Sequence, residues 1–477
     1  MKQPPLTPMS LTAILGRVAH EWESRGRIFD LPSARIWKLD PDIDLSIDFL
    51  GRPAATPLGP AAGPHTQMAQ NIVLAWLAGS RMFELKTVQI LDSLEVARPC
   101  IDMQTIGYNI EWSQELTVPE SIDEYVKAWM IIEILKRWDP LKEHLGPDTG
   151  AHVFDMSVGY DLAGIRSPKI VNFVGTMMDA SQRIDALRHE IPEPFEAFRD
   201  LDFPAKIADT LTLSTFHGCP PDEIDGIVRH LIDEYELDVI VKLNPTLLGF
   251  ASVDGLLHET LGYDDVTIIR DTFDADLQFD RAVRLITDLR AHAAATGRRF
   301  GIKVTNTLVV KNEKGWMPDD PMYLSGAPLH VLASSLLDRL IDELPGVFDL
   351  PGQNGTSPVT FSAGVTKANV ADTVAMGVAP ATMSTDLLKP GGYGRLKPML
   401  NALAAEVSES GVASLREWRE TRFAEAVAAG HRDWVASHVA AITGDGVGLY
   451  HKDGNSKLPR RVDAGLRCGD ASHATCV

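Results

Sequence analysis

Thr56–Pro57–Leu58–Gly59–Pro60–Ala61–Ala62–Gly63–Pro64–His65–Thr66, followed by Met82–Phe83–Glu84–Leu85–Lys86–Thr87, decides how this chain is read. Residues 56–60 read as a short strand that runs out into small residues. Ala61, Ala62 and Gly63 have almost no side chain, so a flat ligand could lie directly on the backbone there. Residues 67–78 have helical spacing and stop at Gly79, which suits a left-handed cap. Met82–Leu85 is a second apolar strand that delivers Lys86 and Thr87 at its carboxyl end. Strand, helix, strand, with a small-residue floor at one strand end and a cation at the next, is an α/β unit. Ligands of such folds sit on the rim of strand carboxyl ends.

The same pattern continues outward. Strands are expected near 153, 210, 238, 301, 358 and 380, besides those near 56 and 82, and helix-like stretches follow most of them. Pro220–Pro221–Asp222–Glu223 is a strong helix start, and the centre of Asp238–Leu243 is apolar without a break, as in a buried parallel strand. Eight β/α units predict a (β/α)8 TIM barrel. An open doubly wound sheet needs fewer strands and a Gly-rich dinucleotide fingerprint, which the sequence lacks. The expected organisation is an N-terminal preface (1–50) with a helix over 11–23, a barrel domain (51–400), and a helical C-terminal extension and tail (401–477). Residues 250–275 exceed an ordinary connection and read as an inserted lid. Residues 307–326, rich in Gly, Pro and Asp, read as loop, and Ile170–Leu187 as one helix.

With 45% hydrophobic and 23% charged residues among 477, the composition is that of a globular chain with a large core. The net charge of −20, from 65 acidic against 45 basic residues, argues against nucleic acid or an anionic membrane surface as partner. Four scattered cysteines make no disulfide framework and point to a reducing cytoplasm. No apolar run approaches the ~18 residues of a membrane helix, and the N-terminus lacks a signal-peptide pattern.

The rim carries the chemistry. Ser362–Ala363–Gly364 and Ser384–Thr385 end the seventh and eighth strands, where barrels tend to hold a phosphate with backbone N–H groups. Tight β–α turns without a ligand would use the same residues. Lys86, Lys242 and Lys303 lie at or near strand ends, Lys303 with the weakest case. Each could face an anion or an electron-rich ring, or be consumed in a structural salt bridge. Asn109, Asn244, Asn306 and Thr307 offer the paired donors and acceptors a heterocycle edge needs, or cap loops. Thr215, His217 and Cys219, after the fourth strand, could each supply a proton above a cofactor. Cysteine is the best acid of the three near neutrality after histidine. Cys468 and Cys476 have no further ligands nearby, so no metal site is expected.

In combination these stretches resemble the FMN barrel of dihydroorotate and dihydropyrimidine dehydrogenases. Within that group they resemble the YgfK family, whose members carry a selenate reductase subunit label. The likeness runs over about residues 50–400 and includes Val241–Lys242–Leu243–Asn244–Pro245–Thr246–Leu247–Leu248–Gly249 and Thr385–Asp386–Leu387–Leu388–Lys389–Pro390–Gly391–Gly392–Tyr393. The resemblance implies that Ala61, Ala62 and Gly63 support the isoalloxazine ring of FMN and that Lys86 and Thr87 contact it. Lys242 would lie near flavin N1 and O2, where positive charge stabilises the reduced ring. Ser362, Ala363, Gly364, Ser384 and Thr385 would form the phosphate loops. Asn306 and Thr307 would border flavin and substrate, and Asn109 and Thr212 would lie on the substrate side.

Two departures matter. Where dihydropyrimidine dehydrogenase has Asn-Leu-Ser-Cys-Pro-His, this chain has Thr212–Leu213–Ser214–Thr215–Phe216–His217. The catalytic cysteine is thus replaced by Thr215, a far weaker acid, leaving Thr215 through water, His217 or Cys219 to move the proton. The missing asparagine at 212 weakens the case for uracil. The larger relatives also continue into iron–sulfur and FAD/NAD(P)H modules, so here a separate protein carrying such centres is expected to supply electrons. The function implied is hydride transfer between flavin N5 and a C=C or C=N bond of a small pyrimidine- or purine-like ring. The alternative is a flavin relay or assembly subunit of a larger reductase, and a homo-oligomer stays open.

Overall fold

The computed structural model describes residues 6–92, 100–104, 108–109, 114–214, 218–315 and 317–455. Its centre is an eight-stranded parallel sheet. The strands are β1 (Leu58–Pro60), β2 (Met82–Glu84), β3 (Val153–Val158), β4 (Thr210–Ser214), β5 (Asp238–Leu243), β6 (Phe300–Val304), β7 (Val359–Phe361) and β8 (Ala381–Met383). Each expected strand is present within one or two residues of its place. Neighbours in sequence are neighbours in the sheet from β2 to β8, and β8 pairs with β1 in the register Ala381↔Leu58, Thr382↔Gly59 and Met383↔Pro60. Between β1 and β2, a side chain on Gly59 would overlap the Met82 carbonyl oxygen, so glycine lets the two strands close the barrel.

The helices that follow the strands are α1 (Ala69–Leu77), α2 (Val118–Leu135), α3 (Pro168–Met178), α4 (Pro221–Tyr235), α5 (Phe279–Ala295), α6 (Ala327–Glu343), α7 (Val370–Ala375) and α8 (Leu396–Glu409). Local chemistry sets their ends. Thr117 and Glu120 form a reciprocal capping box for α2, and Gly79 takes φ +116° after α1. The stretch 170–187 is two helices rather than one. Asp179 is extended and ends the first helix, its carboxylate accepting from Ser181 N–H (3.1 Å) and Ser181 Oγ–H (2.5 Å), and a second helix runs over Ser181–Arg188.

The stretch 307–326 is likewise not plain loop. Leu308–Lys311 and Met322–Leu324 pair as an antiparallel hairpin whose turn holds the Gly, Pro and Asp residues. That hairpin joins Thr267–Ile268 of the 250–275 insertion and the short strands Ile101–Asp102 and Tyr108–Asn109 in a five-stranded accessory sheet. Insertions after β2, β5 and β6 thus meet at the carboxyl end of the barrel. At the other end, the hairpin Ile47–Phe49/Arg52–Ala54 closes the floor. Its Arg52 pairs with Asp209 (2.8 Å) and with Asp238, which begin or precede β4 and β5.

C-terminal helices Leu415–Ala428 and Trp434–Thr443 pack on the barrel. Arg419, for example, donates to the Val374 and Val378 carbonyls at 2.9 and 2.7 Å. Arg460, Arg461, Cys468 and Cys476 lie outside the described residues. Among the described residues, no helix is long and apolar enough to cross a membrane.

Candidate active site

The floor residues lie at the end of β1. Ala61 N–H donates to Met383 O of β8 (3.0 Å), and Ala62 N–H to Glu84 Oε2 (3.2 Å). Glu84, from β2, is ion-paired with Lys303 Nζ, from β6, and both side chains are nearly inaccessible. Register places Lys242 beside Lys303 and Glu84 beside Asp155. Two carboxylates and two ammonium groups therefore lie close together inside the barrel, with Lys242 the most exposed of the four.

Their environments set their charge. Asp155 is fully buried and accepts from Thr210 Oγ1–H (2.7 Å) and Thr212 Oγ1–H (2.6 Å). Burial, reinforced by Glu84, pushes its carboxyl up to about 7 despite those donors and Lys303. Thr212, read from sequence as a substrate contact, thus commits its hydroxyl to Asp155 inside the barrel. Lys242 is only half-buried and donates to Ser214 Oγ (3.4 Å). Burial and the adjacent Lys303 bring its ammonium down to about 7. An anion placed against it would restore the full charge.

Other rim residues are fixed by backbone contacts. Lys86 N–H donates to Thr66 O (3.3 Å), and Lys86 O accepts from Tyr125 OH (2.8 Å). Thr87 Oγ1 and Ser157 Oγ share a hydrogen bond of 2.7 Å. Asn306 N–H donates to Leu243 O (2.8 Å), and Asn306 Oδ1 accepts from Thr307 N–H (3.0 Å), which holds the Asn–Thr pair beside the end of β5. His65 is buried, and neither ring nitrogen has a partner among the described residues. Burial, with Lys86 close by, brings it down to about 3 and keeps the ring neutral.

The two expected phosphate loops are distinctive in their backbone. Ser362 N–H donates to Val304 O (2.7 Å). The next two carbonyls are held from outside: Ala363 O accepts from His330 Nδ1–H (2.9 Å) and Gly364 O from Asn369 Nδ2–H (3.1 Å). In a trans peptide the N–H points opposite to the C=O, so the N–H groups of Gly364 and Val365 point the other way. They meet no acceptor among the described residues. Gly364 has φ +54°, and a Cβ there would overlap Gly326 O, so this turn requires glycine. Across from it, Ser384 precedes the helical turn Thr385–Leu388, and Thr385 Oγ1 lies 3.3 Å from Ser325 Oγ. Ser384 Oγ lies 3.2 Å from where a Cβ on Gly63 would be, so the second loop adjoins the floor.

Of the proton-donor candidates, Thr215 and His217 lie outside the described residues, as does the side chain of Asn109. Cys219 is buried beside Lys242, Asn244 and Asp276. Burial, with Glu223 and Asp276 nearby, pushes its thiol up to about 12. Burial thus weakens the case for Cys219, which the sequence ranks as the best acid of the three near neutrality after histidine. Glu84, Asp155 and His330 are the site residues that sequence reasoning missed. The available signal was a carboxylate inside each of two otherwise apolar strands, which a buried charge permits only with a partner.

A family model described as "Oxidoreductase YgfK, N-terminal TIM-barrel domain" matches residues 29–432. The chain belongs to this family. Two curated relatives, both named "Putative oxidoreductase YgfK", come from Escherichia coli K12 and Escherichia coli O157:H7. Each is 39% identical over 422 residues, a match covering 83% of this chain and 39% of the relative. The chain therefore spans 39% of the length of these family members. Among solved structures, ligand-free DHODH from Eimeria tenella is similar at TM-score 0.48 and 15% identity, covering 85% of this chain and 97% of that one. The same enzyme in complex with ferulenol gives 0.45 and 14%, covering 87% and 96%. Both are too distant to carry function.

Proposed function

We propose that this barrel is the FMN-binding unit of an oxidoreductase that reduces or oxidises a C=C or C=N bond of a small pyrimidine- or purine-like ring. The observation that carries the reading is the adjacency of three features on one rim. They are a floor of small side chains (Ala61–Gly63), a loop whose Gly364 and Val365 N–H groups meet no acceptor among the described residues, beside Ser384 and Thr385, and a half-buried lysine (Lys242) on an opposite strand. This donor set fits FMN, with an anion for the loop, a planar ring for the floor and an electron-rich edge for the lysine. Bound FMN would supply the hydride chemistry. Lys86, Thr87 and Asn306 would orient the cofactor, with Asn109 and Thr307 orienting the substrate. The interior pair Glu84–Lys303 would hold the floor level through Ala62 N–H. Residues 51–400 would form this unit, flanked by the preface and the helical extension. Electrons would come from a separate iron–sulfur/FAD, NAD(P)H-oxidising protein, and the setting would be cytoplasmic.

Within the 215–219 loop we assign the proton to His217 or to Thr215 acting through water, ahead of Cys219, because a thiol near 12 gives up its proton reluctantly. Cys219→Ala should therefore retain turnover within about threefold, whereas His217→Ala or Thr215→Val should lose about 10²–10⁴-fold. Steady-state rates of the three variants check this. The substrate class is tested by reducing the FMN-loaded protein anaerobically and adding pyrimidines and purines one at a time. Reoxidation by one ring supports the reading. Flavin that stays reduced with every ring contradicts it and favours an electron-relay subunit.

A further inference from the structure

The two residues that hold the expected phosphate loop, His330 and Asn369, are themselves backed by residues that lie beyond the 29–432 family match. His330, on α6, is fully buried. Because the Ala363 carbonyl can only accept, His330 Nδ1 must carry the hydrogen of that 2.9 Å bond. Burial, with His438 beside it, brings His330 down to about 3, so the ring is neutral and its Nε2 is an acceptor. That Nε2 lies 3.0 Å from His438 Nε2, which must then be the donor. The tautomers of both rings are thus fixed by one carbonyl. His438 sits on the C-terminal helix Trp434–Thr443. Just beyond it, the Tyr450 ring stacks on His330, with centroids 5.0 Å apart and planes 13° from parallel. Tyr450 OH accepts from Asn369 Nδ2–H (3.3 Å), the same amide that donates to Gly364 O (3.1 Å).

Each outward carbonyl of the loop is therefore backed by a residue of the C-terminal segment: Ala363 O through His330 and His438, Gly364 O through Asn369 and Tyr450. Turning either peptide over would swing its N–H away from the rim and break this chain of contacts. We propose that His438 and Tyr450 are positioning residues for the cofactor phosphate, holding the Gly364 and Val365 N–H groups inward from about 75–85 residues along the sequence. The proposal rests on the FMN reading. It assigns the C-terminal segment a role in recognising the phosphate and none in recognising the ring.

The phosphate-specific role is tested by titrating the cofactor-free full chain with FMN and with riboflavin, which lacks the phosphate. For His438→Phe, the dissociation constant for FMN should rise roughly tenfold, the scale of one or two lost hydrogen bonds. That for riboflavin should stay within twofold. His438→Gln keeps an N–H donor and should recover most of the FMN affinity. Tyr450→Phe keeps the stack on His330, so it should fold even where His438→Phe does not, and it should weaken FMN about threefold. Equal weakening of FMN and riboflavin, or full FMN affinity in folded His438→Phe and Tyr450→Phe, would overturn the positioning role alone. A wild-type protein that binds neither flavin would overturn the FMN reading and this proposal with it.

Discussion

Lys303→Met is expected to destabilise the fold by about 3–5 kcal/mol, the scale for removing one partner of a buried ion pair. Lys303 is 2% exposed, and its ammonium meets Glu84 Oε2, the same oxygen that accepts from Ala62 N–H. Without it, Glu84 and Asp155 stand side by side in a buried interior, and the floor loses its anchor. The cost comes mainly from an orphaned charge, so Glu84→Leu combined with Lys303→Met should recover most of it. The pH dependence adds a second signature. Asp155 binds a proton in the folded state up to about 7, well above its ordinary range. Its contribution is therefore fully present at low pH and lost as pH rises through about 7. Lys303 opposes that rise, so in Lys303→Met the loss moves to higher pH. Urea unfolding between pH 5 and 8 reads both. A deficit under about 1 kcal/mol, near what a surface pair contributes, would contradict the buried-pair account.

The second large effect is on the chemistry. Lys242→Met is expected to lower turnover by about 10²–10³-fold, the scale for removing one donor aimed at developing charge. FMN affinity should fall less than about tenfold, because on the proposed reading the loops after β7 and β8 would hold the other end of the cofactor. In the cofactor-free chain, partial burial and the adjacent Lys303 bring its ammonium down to about 7. It carries full charge below that pH and loses it above. Association of FMN with the cofactor-free chain should therefore weaken above about pH 7 in the wild type, and that limb should be missing in Lys242→Met. A variant that retained a third of the wild-type rate would remove Lys242 from the mechanism.

The eight strands were legible because each is a short apolar run ending in small or polar residues, a purely local pattern. The small-residue turns after β1, β7 and β8 were legible for the same reason. The interior charge layer was not. Lys303 had the weakest case of the three lysines, yet it is the one paired across the barrel with Glu84, 219 residues away. Local alternation does not say which strand face turns inward or what stands opposite. The accessory sheet was missed because its strands are two to four residues long and pair across three insertions. The helix over 170–187 was drawn too long because the backbone turns extended at Asp179 within a spacing of apolar residues that continues across the break.

Equilibrium titration of the cofactor-free chain with FMN, followed by absorbance and fluorescence, tests the account most directly. One FMN per chain, bound with a perturbed flavin spectrum and released by Gly364→Ala, is the predicted result. No saturable binding by correctly folded wild-type protein would contradict it.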